Sequence, residues 1–383
     1  MKVLQVISGM GLKAGGPTAC TYQLLKGIQE KGLQADLLTF DTEDDDEIIS
    51  RESFMKILTP PRNPRFGYSK KLKYWLEDNK DYDLYHINGL WQYMSHATAL
   101  SVRKEHKPYV ISPHGMLYPE GLKKSGWVKK VSLALFQRKD LRKATALHAT
   151  SSKEMMYLRA FGLTQPIAVI PNAINVGDFS KLDAQTQRSK RKIGFLGRLA
   201  PIKNLELLIE AWANSKATTQ HAELVIIGDG DDSYIEQLKL IIKNKKLDNI
   251  FFTGFLTGKV QEEVMQQLSY LVLPSKSENF GMVVTEALAR QIPVIASKGT
   301  PWKELNTHRC GWWIDSDLAS LSNALEAALN LDETQRLEMG KNGRALVENK
   351  YSKEAVSKMM ITFYKWILSE TKELPPFVNI RSC

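Results

Sequence analysis

Short apolar runs alternate with amphipathic helical patterns along almost the whole chain, and this alternation constrains the fold more than any other feature. In the first half, runs typical of β-strands cover residues 2–8, 35–40, 83–88, 109–112, 146–150 and 167–170, and a helical pattern covers about 18–30. Strands separated by helices favour parallel βαβ units, which place ligand sites at the carboxyl ends of the strands. We therefore expect an α/β protein built on parallel sheets.

The alternation is interrupted once, at residues 176–191, where the sequence VGDFSKLDAQTQRSKR is polar and has no apolar period. It then resumes with strand patterns at 192–196, 223–227, 250–253, 270–273 and 293–297 and helical patterns at 205–214, 234–245 and 259–268. A polar segment of this kind is typical of an interdomain linker, and 383 residues exceed one ordinary core. We expect two Rossmann-like domains, residues 1–180 and 190–351, and a C-terminal helical segment, 352–383, that returns to the first domain.

Cysteine usage and hydropathy indicate the compartment. Cys20, Cys310 and Cys383 lie far apart and form no C-x-x-C pair, which argues against a disulfide framework and against a zinc site. The segment MKVLQVISGM has an apolar run too short for a signal peptide, and no uncharged apolar run approaches the ~18 residues of a transmembrane helix. These features favour a soluble cytoplasmic protein, with peripheral binding at the inner face of the cell membrane as an option.

Positive charge is concentrated in one segment of the first half. Residues 101–160 contain 13 Lys and Arg against 4 Asp and Glu, and WVKKVSLALFQRKDLRK (127–143) combines basic residues with Trp127 and other apolar side chains. Three interpretations stay open: a solvated helix face, an anionic membrane surface and nucleic acid. No zinc-finger spacing or RNA-binding aromatic motif supports nucleic acid, so we expect no nucleic-acid partner.

The first loop, GMGLKAGG, contains a formal match to the dinucleotide-binding pattern from Gly9 to Ala14, and Asp41 follows the next strand. The dinucleotide pattern requires the helix to begin inside the motif, whereas Pro17 suits the first helical position. The loop is therefore longer than a dinucleotide loop, and NAD binding is not favoured. Its glycines are compatible either with a simple turn or with close approach of the backbone to an anion.

Two cations follow the first strand of the second domain. In GFLGRLAPIKN, Arg198 and Lys203 flank a strand-to-helix loop. Such a pair beside a helix N-terminus can hold a diphosphate, because Arg offers a planar fork, Lys a point charge and the helix amides partial positive charge. Taken alone, the pair is equally compatible with ordinary surface charge.

The stretch PSKSENFGMVVTEALARQIPVIAS brackets a glycine with two carboxylates. A helix is expected to begin near Phe280, so that the amides of Phe280, Gly281 and Met282 face outward and favour phosphate oxygens. Glu286, further along the helix, can accept hydrogen bonds from a ribose diol, and Glu278, in the loop, can face other hydroxyls. The alternatives are a favourable acidic residue near a helix start for Glu278 and a salt-bridged helix residue for Glu286.

Taken together, these motifs resemble the family-4 retaining glycosyltransferases of GT-B fold. The resemblance rests on SENFGMVVTEALARQ, GRLAPIKN, IIGDGDD, VIPNAIN, SPHGML and the glycines of the first loop, and it extends from the first strand to about Tyr351. It implies two Rossmann-like domains facing across a cleft. It also implies a nucleotide-diphosphate sugar donor held mainly by the C-terminal domain and an acceptor held mainly by the N-terminal domain.

The resemblance also implies roles for individual residues. Arg198 and Lys203 would hold the diphosphate and stabilise its leaving charge, Glu278 would contact the hydroxyls of the donor sugar, and Glu286 would hold the ribose. The backbone at Phe280–Met282 would assist Glu278.

Further donor contacts follow from the same resemblance. Gly15 and Gly16 would approach the diphosphate or the acceptor, and His114 would hydrogen-bond the sugar. The loop that contacts the base would comprise Gly254, Phe255 and Leu256. His86 and Asn88 are weaker candidates, and His148 is expected to pack in the core.

We expect no metal cofactor. The acidic run DTEDDDE (41–47) and the D-x-D pattern at Asp229–Asp231 fit solvated turns after strands. Arg198, Lys203 and the helix amides already supply positive charge to balance that of a diphosphate. The expected activity is retaining transfer of a hexose from a nucleotide sugar, a UDP-sugar being favoured, to a glycan acceptor that is lipid-linked, in surface polysaccharide or glycolipid biosynthesis. A sugar-nucleotide epimerase, a phosphorylase and a non-catalytic basic binding protein are the alternatives.

Overall fold

The computed structural model describes residues 1–11, 16–42, 47–48, 50–61, 67–123, 126–180 and 191–380. The chain divides into two compact units: unit 1 contains Met1–Ile174 and Lys353–Cys383, and unit 2 contains Asn175–Ser352. The boundary at 174/175 precedes the polar segment in which the sequence analysis placed the linker, and residues 181–190 of that segment lie outside the described residues.

The first part of unit 1 alternates strands and helices. Its elements are β1 (Lys2–Ile7), α1 (Gly16–Glu30), β2 (Gln34–Phe40), β3 (Met55–Leu58), α2 (Lys70–Asp78), β4 (Leu84–Asn88), α3 (Tyr93–Lys104), β5 (Tyr109–Ser112), α4 (Pro119–Lys123), α5 (Gly126–Ser132), α6 (Arg138–Lys143), β6 (Ala146–Ala149), α7 (Ser152–Ala160) and β7 (Ile167–Val169). A π-helical turn, Leu133–Gln137, joins α5 to α6, so the basic segment 127–143 is helical throughout.

Unit 2 repeats the alternation. Its elements are β8 (Arg191–Leu196), α8 (Leu205–Asn214), α9 (Lys216–His221), β9 (Ala222–Ile227), α10 (Asp232–Asn244), β10 (Ile250–Gly254), α11 (Gly258–Gln266), β11 (Tyr270–Leu273), α12 (Met282–Ala289), β12 (Val294–Ser297), α13 (Glu304–Thr307), β13 (Gly311–Ile314), α14 (Leu318–Asn330) and α15 (Glu333–Leu346). The chain then returns to unit 1 as α16 (Lys353–Ile367) and β14 (Val378–Asn379).

Each unit is built on one sheet. In unit 1 the strand order is β14-β7-β6-β5-β4-β1-β2-β3, and every pairing is parallel except that of β14 with β7. In unit 2 the order is β10-β9-β8-β11-β12-β13, and all pairings are parallel. The expected α/β class with two Rossmann-like domains is confirmed.

Apolar layers cover both faces of the sheet in unit 1. Leu4 and Val6 of β1 belong to one buried cluster and Val3 and Ile7 to another, because successive side chains of a strand point to opposite faces. Burial on both faces explains why parallel strands are nearly continuous apolar runs in the sequence. It also makes the polar residues inside these strands conspicuous, since a buried polar group needs a hydrogen-bond partner.

The C-terminal helix α16 packs against α1, as expected for a helix that returns to the first domain. Close packing depends on Gly27, because a Cβ there would lie 2.7 Å from Cγ and 3.0 Å from the carbonyl oxygen of Lys353. The Lys353 ammonium also pairs with Glu30 at 2.6 Å.

One predicted boundary is wrong in a way that affects the candidate site. The sequence predicts that the helix carrying Glu286 begins near Phe280, whereas this helix, α12, begins at Met282. Gly281, the N-cap residue, has φ 81°, a left-handed conformation that a helix interior cannot contain and that glycine adopts without strain. Phe280 therefore belongs to the loop.

Candidate active site

Unit 2 has one point where the order of the strands reverses. From β8 the chain proceeds outward through β9 and β10, and it then returns to the other side of β8 with β11. In open α/β sheets, ligands bind in the crevice at such a point, outside the carboxyl ends of the strands. The loop after β8 carries Arg198 and Lys203, and the loop after β11 carries Glu278.

The two loops contact each other directly. The Lys203 ammonium forms an ion pair with Glu278 Oε1, and the Ser275 hydroxyl donates to the same oxygen at 2.8 Å. The amide of Lys276 donates to the carbonyl of Ile202 at 2.8 Å. The Lys203 and Glu278 side chains are only 19% and 14% exposed, so the pair is held in a partly desolvated position.

A third loop, after β12, supports the Glu278 loop. The Glu278 amide donates to the carbonyl of Gly299 at 3.0 Å. A Cβ at Gly299 would lie 2.1 Å from the carbonyl oxygen of Ser275, so only glycine allows this approach. Trp302 Nε1 donates to the carbonyl of Phe280 at 2.5 Å. Sequence reasoning did not identify Ser275, Gly299 or Trp302. The sequence signal that could have identified Gly299 and Trp302 is their position directly after β12, the strand adjacent to β11.

The start of α12 presents backbone donors. The amide of Val284 donates to the carbonyl of Gly281 at 2.9 Å, so the amides of Met282 and Val283 are the ones at this helix start without an intrahelical acceptor. The Phe280 ring is 5% exposed and packs edge-on against Trp302 and Tyr351. This ring thus supports the loop, and the outward-facing donors begin two residues later than the sequence indicated.

Glu286 lies half-buried on α12. Burial raises the pKa of its carboxyl above the ordinary value, with an opposing effect of Arg290. The Arg290 guanidinium is engaged elsewhere, since it pairs with Glu262 and stacks 4.4 Å from the ring of Phe179. In the part of the chain that the structure describes, the Glu286 carboxylate has no hydrogen-bond or ion-pair partner, so it can accept hydrogen bonds from a ligand.

The remaining predicted donor residues of unit 2 lie at the same sheet edge. Arg198 is exposed, and its guanidinium has no partner within the described ranges. Gly254 ends β10, two strands from β8, which corresponds to about 10 Å at the usual strand spacing. Phe255 follows with 67% exposure and Leu256 is half-buried. An exposed aromatic ring at this distance can stack on a base.

Unit 1 has its own reversal point, between β1 and β4. A cavity of about 490 Å³ lies there, lined among others by Gly9, Asn88, Trp91 and His114. Gly16 begins α1. Gly15 lies outside the described residues, so its predicted role stays a prediction.

His114 occupies this cavity in a left-handed conformation, with φ 52°. Its Nε2 lies 3.0 Å from Asn88 Oδ1, and burial lowers its pKa to about 3. Its Nδ1 is buried without a hydrogen-bond partner in the described part of the chain. The ring is therefore neutral and keeps one nitrogen available to a ligand.

The acidic patterns have local partners where they are described. Asp231 caps α10 by accepting from Ser233, and these hydrogen bonds hold its pKa below the ordinary value. Asp41 pairs with Arg51 at 2.8 Å, and residues 43–46 of the acidic run lie outside the described residues. Across the described ranges no three His, Cys, Asp or Glu side chains are grouped as a metal site. Independence of metal stays a prediction.

The basic segment presents apolar side chains to solvent. Trp127, Val131 and Leu135 are 78%, 40% and 74% exposed, and their spacing of four residues places them on one helix face. Lys130, Arg138 and other basic residues around them are exposed as well. Among the helices that the structure describes, none combines the length and apolar character required to cross a membrane.

Comparisons with known proteins agree with this arrangement. Residues 178–346 match the family model of glycosyl transferases group 1, and residues 14–178 match that of glycosyltransferase family 4. An uncharacterised glycosyltransferase of Methanocaldococcus jannaschii is 29% identical over 216 residues, 52% of this chain, and the chain spans about half (54%) of that relative's length.

Two further comparisons cover more of the chain. O-antigen chain mannosyltransferase C of Escherichia coli is 23% identical over 375 residues, covering 92% of this chain and 95% of the relative. The fold is similar to that of HepE from Anabaena, solved in complex with UDP and glucose, with a TM-score of 0.72 at 19% identity over 96% of this chain and all of that one. The chain belongs to the group 1 glycosyltransferases of GT-B fold and is a glycosyltransferase.

Proposed function

We propose that this enzyme transfers a hexose, with retention of anomeric configuration, from a UDP-sugar to a lipid-linked glycan acceptor in the synthesis of a surface polysaccharide or glycolipid. The UDP found in HepE supports the choice of nucleotide, and the O-antigen function in the name of the Escherichia coli relative supports the class of product.

The observation that carries the proposal is the contact between Lys203 and Glu278 at the reversal point of unit 2. Breaking the bond between the anomeric carbon and the phosphate develops negative charge on the diphosphate and positive character on the sugar. Preorganised cations that stabilise the negative charge on the leaving diphosphate are usually the largest single contribution to lowering the activation barrier of such a step. Lys203 is positioned by its contact with Glu278. The exposed Arg198 guanidinium lies on the same loop and has no anionic partner among the residues that the structure describes.

The rest of the donor fits the same edge. The amides at the start of α12 would bind phosphate oxygens, and the carboxylate of Glu286 would accept hydrogen bonds from the ribose hydroxyls. Phe255 would stack on the base. Glu278 would exchange part of its contact with Lys203 for hydroxyls of the donor sugar, in a step that brings the ammonium and the diphosphate together.

The family resemblance supports retention. The acceptor hydroxyl would attack the anomeric carbon from the face that the diphosphate leaves, and the departing phosphate would take the proton. In this scheme no protein nucleophile is required, and the neutral ring of His114 would accept a hydrogen bond from a sugar hydroxyl.

The proposal is tested by a thermal-shift screen across sugar nucleotides, followed by transfer assays with the donor that stabilises most. We expect Lys203→Ala and Glu278→Gln to lose on the order of 100-fold in transfer rate. Lys245→Ala is the matched control, because Lys245 pairs with Glu210 at 3.4 Å on helices of the same unit, away from the sheet edge. Transfer should also survive EDTA.

Two outcomes would contradict the proposal. Full activity of both Lys203→Ala and Glu278→Gln would show that this ion pair has no role in transfer. Conversion of the nucleotide sugar without an acceptor, or a requirement for inorganic phosphate, would identify an epimerase or a phosphorylase on the same fold.

We also propose that the face of Trp127, Val131 and Leu135, with its surrounding cations, binds an anionic membrane surface and so brings the enzyme to its lipid-linked acceptor. Apolar side chains that insert and cations that attract anionic lipid act together at such surfaces. Cosedimentation with vesicles of phosphatidylglycerol and phosphatidylcholine tests this. Trp127→Ala/Leu135→Ala should reduce binding, while Leu240→Ala, at a leucine of unit 2 that is 57% exposed, should not. Equal binding to vesicles without anionic lipid would contradict it.

A further inference from the structure

A chain of buried hydrogen bonds runs through unit 1, and it involves polar residues from four strands, two loops and the C-terminal helix. The contacts are Ile170 O to His148 Nε2 (2.7 Å), His148 Nδ1 to Ser112 Oγ (2.6 Å), Ser112 Oγ to His86 Nε2 (2.5 Å), His86 Nδ1 to Tyr364 hydroxyl (2.6 Å), Tyr364 hydroxyl to Gln5 Nε2 (3.2 Å), Gln5 Oε1 to Asn88 Nδ2 (3.0 Å) and Asn88 Oδ1 to His114 Nε2 (3.0 Å).

One end of the chain fixes the direction of its first bonds. The carbonyl of Ile170 can only accept, so Nε2 of His148 carries the hydrogen. His148 is neutral, because burial lowers its pKa to about 4, and its Nδ1 must then accept from the Ser112 hydroxyl. The Ser112 oxygen is left to accept from Nε2 of the next residue in the chain, His86.

The same logic continues to Tyr364. Burial lowers the pKa of His86 well below its ordinary value, so His86 is neutral and its Nδ1 accepts from the Tyr364 hydroxyl. The phenol oxygen then accepts from the amide nitrogen of Gln5. Tyr364 is completely buried and reaches this position because α16 packs on α1.

The chain ends at the cavity. The side-chain oxygen of Gln5 accepts from the amide nitrogen of Asn88, which leaves the Asn88 oxygen as an acceptor. Its neighbour, Nε2 of His114, must therefore carry the hydrogen. Nδ1 of His114 is consequently a bare acceptor, and it is the nitrogen that has no partner in the described part of the chain.

We propose that Tyr364 is a positioning residue that, through Gln5 and Asn88, holds His114 in the Nε2–H tautomer so that Nδ1 accepts a hydrogen bond from a hydroxyl of the sugar substrate. This inference rests on the proposed function for the identity of the ligand. The tautomer itself follows from the hydrogen bonds of the protein and from the neutrality of its buried histidines, whatever the ligand is.

The kinds of residue in this chain of hydrogen bonds indicate that it positions His114 and does not merely fill the core. Four of its members, Gln5, His86, Ser112 and His148, occupy strand positions whose neighbours are apolar, and an apolar side chain there would be simpler to bury. Within the described residues every nitrogen and oxygen of this chain of hydrogen bonds has a partner except Nδ1 of His114, and His114 is a residue that lines the cavity.

The direct test is the tautomer of His114, measured by long-range ¹H–¹⁵N correlation on protein labelled at its histidines, with His114→Gln to assign the signal. In the unliganded wild type we expect a protonated Nε2 and an unprotonated Nδ1. Tyr364→Phe removes the hydroxyl that orients the Gln5 amide, so both nitrogens of His114 should shift toward averaged values.

Tyr109→Phe is the matched control. Tyr109 is an equally buried tyrosine of the same unit whose hydroxyl donates to the carbonyl of Asp140 at 2.7 Å, outside the chain of hydrogen bonds. Its loss should reduce stability to a similar degree and leave the His114 signals unchanged. Gln5→Met, which removes the amide in the middle of the chain, provides a second variant should Tyr364→Phe fail to fold.

The catalytic consequence is measured separately. Only molecules with the correct tautomer are competent, so Tyr364→Phe should lose roughly two- to fivefold in transfer rate while its thermal shift with UDP stays that of the wild type. A wild-type His114 protonated at Nδ1, or signals unaffected by both Tyr364→Phe and Gln5→Met, would overturn the proposal. Absence of any sugar transfer with the predicted tautomer intact would instead contradict the proposed function.

Discussion

The substitution Gly299→Ala tests whether the position of the Glu278 loop controls catalysis. The added Cβ would lie 2.1 Å from the carbonyl oxygen of Ser275 and 2.7 Å from the backbone carbon of Lys276, whereas real Cβ atoms do not approach closer than 3.0 Å. The loop must therefore withdraw by about 1 Å. A displacement of that size at a reacting centre costs about 100-fold in rate.

The same substitution has a cost in stability. Overpacking of this kind costs about 1–3 kcal/mol of unfolding free energy, and each kcal/mol lowers the Tm of a unit of this size by about 2–4 °C. Gly311→Ala is the matched control, because its Cβ would lie 2.0 Å from the carbonyl of Val294 at the opposite, amino-terminal edge of the same sheet.

The assays are differential scanning calorimetry and steady-state transfer at saturating donor. We expect both variants to lose stability and only Gly299→Ala to lose about two orders of magnitude in rate. Wild-type activity in Gly299→Ala, or an equal loss of activity in Gly311→Ala, would refute the argument that the loop acts through its position.

Three other predictions follow from burial and packing. Glu286→Gln should raise the Tm of unit 2 at neutral pH and should raise the KM for the donor. The pKa of the Glu286 carboxyl is raised in the folded state, so the folded unit loses stability as the pH rises through that pKa and the group ionises. A lower Tm of the variant would contradict this. Gly27→Ala should destabilise unit 1 by about 0–2 kcal/mol in urea denaturation, because contact with Lys353 outweighs the helix propensity of Ala; a stabilised variant would show that the helices separate easily. Unit 1 should also lose stability as the pH falls from about 6.5 to 4, because the unfolded chain then binds more protons than the folded one. The expected loss is about 1.4 kcal/mol per pH unit for each neutral buried histidine. A urea denaturation midpoint that does not change with pH would contradict this prediction. These histidines are His86, His114 and His148.

Much of the fold was predictable because parallel strands buried on both faces are apolar runs. The strands at 109–112 and 270–273 and the helix at 205–214 have the bounds that the sequence indicated. Edge strands were missed. β3 and β14 lie at the two ends of the unit 1 sheet and are only partly buried, so neither requires the continuous apolar run that marks a strand buried on both faces.

The candidate site was predictable only in its residue types. Cations after one strand and a carboxylate after another indicated a diphosphate site, but sequence spacing does not say which side chains touch. The pairing of Lys203 with Glu278 depends on β8 and β11 being neighbours. The supports of the loop, Gly299 and Trp302, come from after a third strand and bear no motif of their own.

By itself, then, the sequence determined the class of fold and the family and indicated the residue types of a candidate donor site, because hydrophobic period and short motifs are local properties. Tertiary structure alone decided how residues distant in the chain act together. His86 and Tyr364 are 278 positions apart, yet they form one hydrogen bond because α16 returns to α1. The tautomer of His114 follows from that contact, and no local pattern encodes it, since the direction of a hydrogen-bond chain is a property of all its members.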